Sequence, residues 1–164
     1  MSSRTTEVML NKGFVAIIDS EDLELVSCYN WNVTKQRHKH YAHTVTEGRR
    51  ILVMHRFLLR PDRGVLVDHI NGDGLDNRRA NLRLANYSQN AANRGKPQCG
   101  RSTSRYKGVF FESSGTRKNR WRALIRVNGQ RIHLGAYSEE LEAAVAYDTA
   151  AKKHFGEFAK LNLP

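Results

Sequence analysis

The dipeptide Asn128-Gly129 restricts this chain more than any other pair of residues, because both can take the positive φ that a two-residue hairpin turn demands. The runs on either side alternate. Arg120, Arg122 and Arg126 fall on one side of an extended strand, with Trp121, Ala123, Ile125 and Val127 on the other. Beyond the turn Arg131 and His133 share one side, Ile132 and Leu134 the other. A third strand-like run, Tyr106 to Phe111, precedes them, so the segment predicts an antiparallel sheet with one apolar and one basic face. A helix from about Ser138 to Phe155 carries Leu141, Ala144, Val145, Ala151 and Phe155 at helical spacing and is expected to cover the apolar face. Ser138 is its expected N-cap, with Glu139, Glu140 and Glu142 suited to the dipole in its first turn.

Charge is distributed along the chain to match. The formal net charge is +11 over 164 residues, which favours a polyanionic partner. From Arg101 to His133 there are nine Lys or Arg against one acid, Glu112, whereas Leu134 to Pro164 carries three bases against five acids. Positive charge is therefore gathered on the sheet, as expected of a nucleic-acid-facing surface.

Residues 1–54 alternate short apolar runs with turns: Phe14 to Ile18, the region of Trp31, Tyr41 to Val45, and Ile51 to Met54 read as short strands, and Ser20 to Val26 as one or two helical turns. Arg37 to His40 reads as a solvated basic turn, and His38, His40 and His43 show no partner pattern. Residues 94–104 mix Gly, Pro, Ser and positive charge without periodicity, the composition of a flexible basic linker. No apolar run approaches the roughly 18 residues of a membrane helix, and Met1 to Asn11 lacks the apolar stretch of a secretory signal. The expectation is an intracellular protein, in the cytoplasm of a bacterial host if phage-encoded. Cys28 and Cys99 form no paired-cysteine zinc motif and read as ordinary thiols.

Residues 65–95 hold the densest chemistry. An apolar strand ending in Asp68-His69 is followed by the turn-rich loop Asn71-Gly72-Asp73-Gly74, a short strand through Leu82 to Leu84, and a polar helix, in ββα order. Cleaving a phosphodiester requires an activated water and a cation to neutralise charge developing on phosphorus and on the leaving oxygen. An Asp beside a His at a strand end can serve both needs: the carboxylate suits Mg2+ or Mn2+, and an imidazole titrating near about 6.5 can accept the water proton.

This stretch, together with Met54-His55-Arg56-Phe57-Leu58, closely resembles the HNH nucleases of the His-Me finger group, particularly phage and intron-encoded homing endonucleases. The resemblance implies Asp68 and Asn90 as ligands of one divalent cation, Mg2+ or Mn2+ and not zinc, His69 as general base, and Asn81 as the residue orienting His69. The third letter of the motif is Asn90 here, a common variant in the family. His55, at the start of a helix, reads either as support for the finger or as a phosphate contact.

From Tyr106-Lys107-Gly108-Val109 through Trp121 to Ile125, Leu134 to Tyr137, Ala143 to Ala151 and Leu161-Asn162-Leu163-Pro164, the C-terminal third is similar to the plant Apetala/ethylene-response-factor DNA-binding domain. That resemblance implies base and phosphate contacts from Lys107, Arg120, Arg122, Arg126, Arg131 and His133. Phe110 and Glu112 stand where plant members typically carry Arg, and His133 replaces a Trp, so a different target sequence is implied.

The expected class is α+β. It comprises a β-rich region over 1–54, a ββα-metal finger over 55–95, a basic linker over 96–104, and a sheet packed on one helix over 105–164. The expected activity is metal-dependent, site-specific cleavage of double-stranded DNA by a strand-nicking monomer of homing type, with no obligate protein partner and no membrane. A DNA-binding regulator with an inactive finger is the rival. An RNA-binding module is disfavoured because no aromatic single-strand platform is evident.

Overall fold

A computed structural model describes residues 4–36, 38–96, 102–113 and 118–163, and these are α+β throughout. Arg37, Cys99, Pro164 and most of the expected basic linker, 97–101, lie outside the described residues. The chain divides into two compact units, 1–86 and 87–164.

In the first unit β1 (Thr5–Met9) and β2 (Val15–Asp19) form an antiparallel hairpin. α1 (Leu23–Ser27) leads to a three-stranded antiparallel sheet of β3 (Asn32–Gln36), β4 (Lys39–Val45) and β5 (Ile51–Val53), followed by α2 (Met54–Leu59). The finger strands β6 (Leu66–His69) and β7 (Leu82–Ala85) then pair antiparallel, with Asp68 opposite Arg83 and His69 opposite Leu82. Ala16, Ile18, Val26, Trp31, Ala42, Met54, Leu58 and Leu82 make one buried apolar core under these elements. Trp31 can be buried because its indole N–H donates to the Val26 carbonyl at 2.8 Å, which removes the cost of an unpaired polar group.

Two features of this unit depart from expectation. β1 is a strand that no apolar run announces: its exposure alternates along Thr-Thr-Glu-Val-Met, so only Val8 packs on the core. Of the residues expected in a solvated turn, Lys39 and His40 instead belong to β4, half-buried, with the His40 ring 4.6 Å from that of Phe14.

In the second unit α3 (Tyr87–Ala92) precedes β8 (Val109–Phe111), β9 (Trp121–Val127) and β10 (Gln130–Tyr137), which form an antiparallel sheet with β9 in the centre. Asn128 and Gly129 make the β9–β10 turn with φ of 49° and 84°, as the hairpin reading requires. α4 (Glu140–Phe155) lays Ala143, Ala144, Tyr147, Ala151 and Phe155 against Val109, Ala123 and Ile125. The N-cap of α4 is Glu139 rather than Ser138. The Ser138 hydroxyl instead donates to the Glu142 carboxylate at 3.0 Å, and the same carboxylate accepts the Glu139 backbone N–H.

The first strand of this sheet is shorter than Tyr106 to Phe111 because Gly108 turns with φ of 72°, and a Cβ there would collide with the Tyr147 ring. Ahead of the turn the Asn162 amide pairs with both backbone groups of Lys107. The buried Asp148 carboxylate accepts the N–H groups of Asn162 and Leu163. The C-terminal residues are thereby tied to both the sheet and the helix. No helix among the described residues is long and apolar enough to cross a membrane.

Candidate active site and nucleic-acid interface

Asp68 and His69 close β6, and successive strand side chains point to opposite faces, so the pair serves two environments. Both are 5% exposed. On one side the Arg83 guanidinium, brought opposite by the β6–β7 register, donates to Asp68 Oδ2 from Nε at 3.1 Å and Nη2 at 3.0 Å. This nearly buried pair supplies the charge compensation that a carboxylate needs away from water.

On the other side His69 sits among aromatic rings: His55 at 4.9 Å, edge to face, and Tyr41 at 5.9 Å. Burial lowers the pKa of His69, the hydrogen bond with Asn77 opposes that shift, and the Lys39 ammonium lowers it further. The ring is therefore held towards its neutral, proton-accepting form. His55 is pushed down to about 3 by burial, by His69 and by Arg56, and its Nδ1 finds no hydrogen-bond partner among the described residues. Of the two readings of His55, the structure supplies the packing contact with His69.

The loop after β6 is braced from within. Asp73 N–H donates to Asn71 Oδ1, and Leu75 N–H to Asp73 Oδ1, consecutive Asx-type turns that suit an Asn/Asp/Gly sequence. Asn81 holds this loop: its Nδ2 donates to Asn71 Oδ1 at 3.0 Å and to the Asp76 carbonyl at 2.8 Å, while its Oδ1 accepts the Asn71 N–H. The Asn81 carbonyl also accepts Ile70 N–H, immediately after His69. Asn81 thus fixes the backbone leaving the Asp-His pair.

The ring of His69 itself meets Asn77, whose Oδ1 lies 3.5 Å from Nε2 and whose side chain is fully buried. Sequence reading missed Asn77 because an Asn in a Gly/Asp-rich loop reads as turn chemistry. β2 holds this residue in place, with Ile17 N–H donating to the Leu75 carbonyl and Asn77 N–H to the Ile17 carbonyl at 2.7 Å. Two further ion pairs, Arg78 with Asp76 and Arg79 with Asp22, brace the loop's far end.

For a divalent cation the first unit offers the hard carboxylate of Asp68, and Asn90, the second oxygen donor expected from the motif, lies on α3 in the second unit. No group of three or more His, Cys, Asp or Glu converges among the described residues. A carboxylate such as that of Asp68 suits Mg2+, which keeps several waters and takes phosphate oxygens rather than an all-protein cage.

The residues expected to meet DNA fall into three groups. Arg126 and Arg131 are exposed and directly opposite one another across β9 and β10, with His133 exposed two positions on. Arg120 and Arg122 are half-buried. The Arg120 guanidinium donates to the Glu112 and Ser113 carbonyls and stacks 4.6 Å from the Phe111 ring, while Arg122 pairs with the Glu112 carboxylate. Glu112, which stands where plant members carry Arg, therefore occupies a neighbouring arginine.

Lys107 belongs with neither group. Its ammonium donates to the carbonyls of Ala91, Ala92 and Arg94 and so caps the C-terminal end of α3, where the helix dipole favours a cation. Burial and the nearby Lys160 and Arg94 lower its pKa to about 8. α3 is further fastened by Ala92, which packs with Ile125 and Tyr147, and by Asn128 N–H donating to the Ser88 hydroxyl.

Residues 60–92 match the HNH endonuclease family. An uncharacterized HNH endonuclease of Acanthamoeba polyphaga mimivirus is 29% identical over 157 residues, covering 92% of this chain and 76% of its own length. The dehydration-responsive element-binding protein 2D of Arabidopsis thaliana is 40% identical over 79 residues, 47% of this chain and 36% of the plant protein. An AP2-like ethylene-responsive transcription factor of the same plant is 41% identical over 64 residues, 39% of this chain and 20% of the relative. No solved structure matches the chain.

Proposed function

From a chain that joins an HNH endonuclease segment to an Apetala/ethylene-response-factor-like segment, we propose a site-specific, metal-dependent DNA endonuclease of homing type. The observation that carries this reading is the buried Asp68-His69 pair at the end of β6, with His69 kept towards its neutral form beside Asn77.

In this reading His69 is the general base and takes the proton of the attacking water. Asn77 holds the imidazole by its ring nitrogen, and Asn81 fixes the backbone on which the pair stands. Asp68 and Asn90 are the oxygen donors for one divalent cation, Mg2+ or Mn2+. Such a cation, when bound, supplies positive charge to the phosphate and the leaving oxygen. The β9–β10 face, through Arg126, Arg131 and His133, takes the DNA, with Arg120 and Arg122 able to join once released from Glu112.

One finger with one general base can carry out one in-line displacement at a time. The two strands of a duplex run in opposite directions, so a monomer docked by an asymmetric face is aligned with one of them. The protein therefore acts as a monomer that nicks a preferred strand of double-stranded DNA.

A second reading, a DNA-binding regulator, draws on the Asp68–Arg83 pair, which occupies one oxygen of the expected metal ligand. Incubating the full chain with a library of genomic duplex fragments, with Mg2+ and with EDTA, separates the two. Mg2+-dependent cuts at a recurring sequence support the nuclease. Sequence-selective binding without cuts in Mg2+ or Mn2+ supports the regulator.

A further inference from the structure

Lys39 opens β4 and is half-buried. A Cβ built on Gly72, which has φ of 81°, would be 3.5 Å from Lys39 Nζ, so the ammonium rests on the loop's backbone two residues beyond Ile70. The neighbouring part of β4 meets the same loop and the site itself. A Cβ on Gly74 would collide with the His40 carbonyl oxygen, and the Tyr41 ring contacts those of His55 and His69. β4 is therefore a wall of the His69 site, and Lys39 is its charged end.

Among the described residues no ion pair involves the ammonium; Asp76, Asp22, Asp68 and Glu112 pair instead with Arg78, Arg79, Arg83 and Arg122. The acids whose fields reach His69, Asp68 and Asp73, are engaged respectively with Arg83 and with the Leu75 N–H. The half-buried ammonium disfavours the protonated form of His69 and is placed to meet an anion that reaches the same site.

We propose that Lys39 is a catalytic residue whose ammonium takes a non-bridging oxygen of the scissile phosphate beside His69. This rests on the nuclease reading above. In the step, the water oxygen bonds to phosphorus, the water proton passes to His69, and the bond from phosphorus to the sugar oxygen breaks, that oxygen taking a proton from solvent. Lys39 transfers nothing. It neutralises charge that grows on the phosphoryl oxygens as the new bond forms, an effect stronger in the transition state than in the bound ground state.

The test uses the full chain on one fixed duplex that the wild-type protein cuts in Mg2+, comparing Lys39→Gln, Lys39→Arg and His69→Ala in single-turnover cleavage. Lys39→Gln is expected to lower the cleavage rate about 100-fold, with affinity for the uncut duplex in EDTA within about threefold of wild type. Lys39→Arg should restore most of the rate, because it restores the charge. Wild-type cleavage by Lys39→Gln overturns the proposal. So does an equal loss in both Lys39 variants accompanied by a lowered unfolding temperature, which marks packing instead of charge. If the wild-type chain cuts no duplex in Mg2+ or Mn2+ yet binds DNA, the nuclease reading itself has failed and this inference is overturned with it.

Discussion

The Asp68-His69 site of the first unit and the basic sheet face of the second treat their polar side chains in opposite ways. In the first, Asp68, His69, Asn77 and Asn81 are buried and braced, by Arg83, by the rings of His55 and Tyr41, and by the loop's own amides. In the second, Arg126, Arg131 and His133 stand in solvent on a sheet face. Chemistry at a single phosphorus gains from groups fixed in a water-poor site, where each electrostatic interaction is stronger. Docking on a polyanion gains from exposed cationic side chains that displace the counterions condensed on its phosphates. The contrast assigns different costs to the two regions: the first spends folding free energy on desolvated polar groups, the second on unrelieved repulsion.

The most severe way to break this contrast is to unpair the buried charge. Asp68→Ala is expected to abolish cleavage and to destabilise the first unit by about 3–5 kcal/mol, because Arg83 is left without its carboxylate. Adding Arg83→Leu should return much of the stability, seen by thermal unfolding, and none of the cleavage. Recovery of both would mean that Asp68 serves only the fold.

On the exposed face the expected effects concern salt rather than folding. Arg126 and Arg131 are cross-strand neighbours of like charge, an arrangement that weakens a sheet until an anion lies between them. Replacing both by Ala should reduce the slope of log affinity against log salt by about two, near 0.9 for each phosphate that is no longer neutralised, and should slightly raise the unfolding temperature of the free protein. An unchanged salt slope would remove these two residues from the interface.

Lys107 sharpens the boundary between the two regimes, since it was expected to contact DNA and is instead engaged with the end of α3. Lys107→Met should cost about 1–3 kcal/mol of stability through unsatisfied carbonyls and leave the salt slope nearly unchanged. A slope lowered by about one unit without loss of stability would return Lys107 to the DNA face.

The last effect concerns pH. His55 titrates at about 3 in the folded chain, below its ordinary value, so the unfolded chain binds the extra proton first. Its contribution to stability is complete above the unfolded value of about 6.5 and is lost as pH falls towards 3. Unfolding followed from pH 7 to pH 4 should show this decline, and His55→Phe should flatten it. A His55→Phe protein with the same acid-side slope as wild type would show that another group is responsible.

How much could be read from residues alone follows the same division between local and distant causes. The β9–β10 hairpin was legible because its signals, Asn128-Gly129 and a period of two, lie within the elements themselves. The ββα order of the finger was legible for the same reason, with a turn-rich loop marking the gap between its strands. Arg83 as the partner of Asp68 was not, because it depends on a register fixed by a loop whose length alone does not set the pairing. Lys39 read as part of a solvated turn since the finger loop, which gives it a place, is remote in sequence. The cap that Lys107 makes on α3 likewise joins residues separated by the linker.

Whether this chain cuts DNA with His69 as base is decided by His69→Ala in the whole chain. The substrate is a supercoiled plasmid carrying a selected site, in Mg2+, with binding followed in parallel in EDTA. Wild type is expected to convert the plasmid to the open-circular form, whereas His69→Ala leaves it supercoiled with DNA affinity within about threefold, the loss of a general base costing at least about 100-fold in rate. Cleavage by His69→Ala at the wild-type rate would contradict that role for His69.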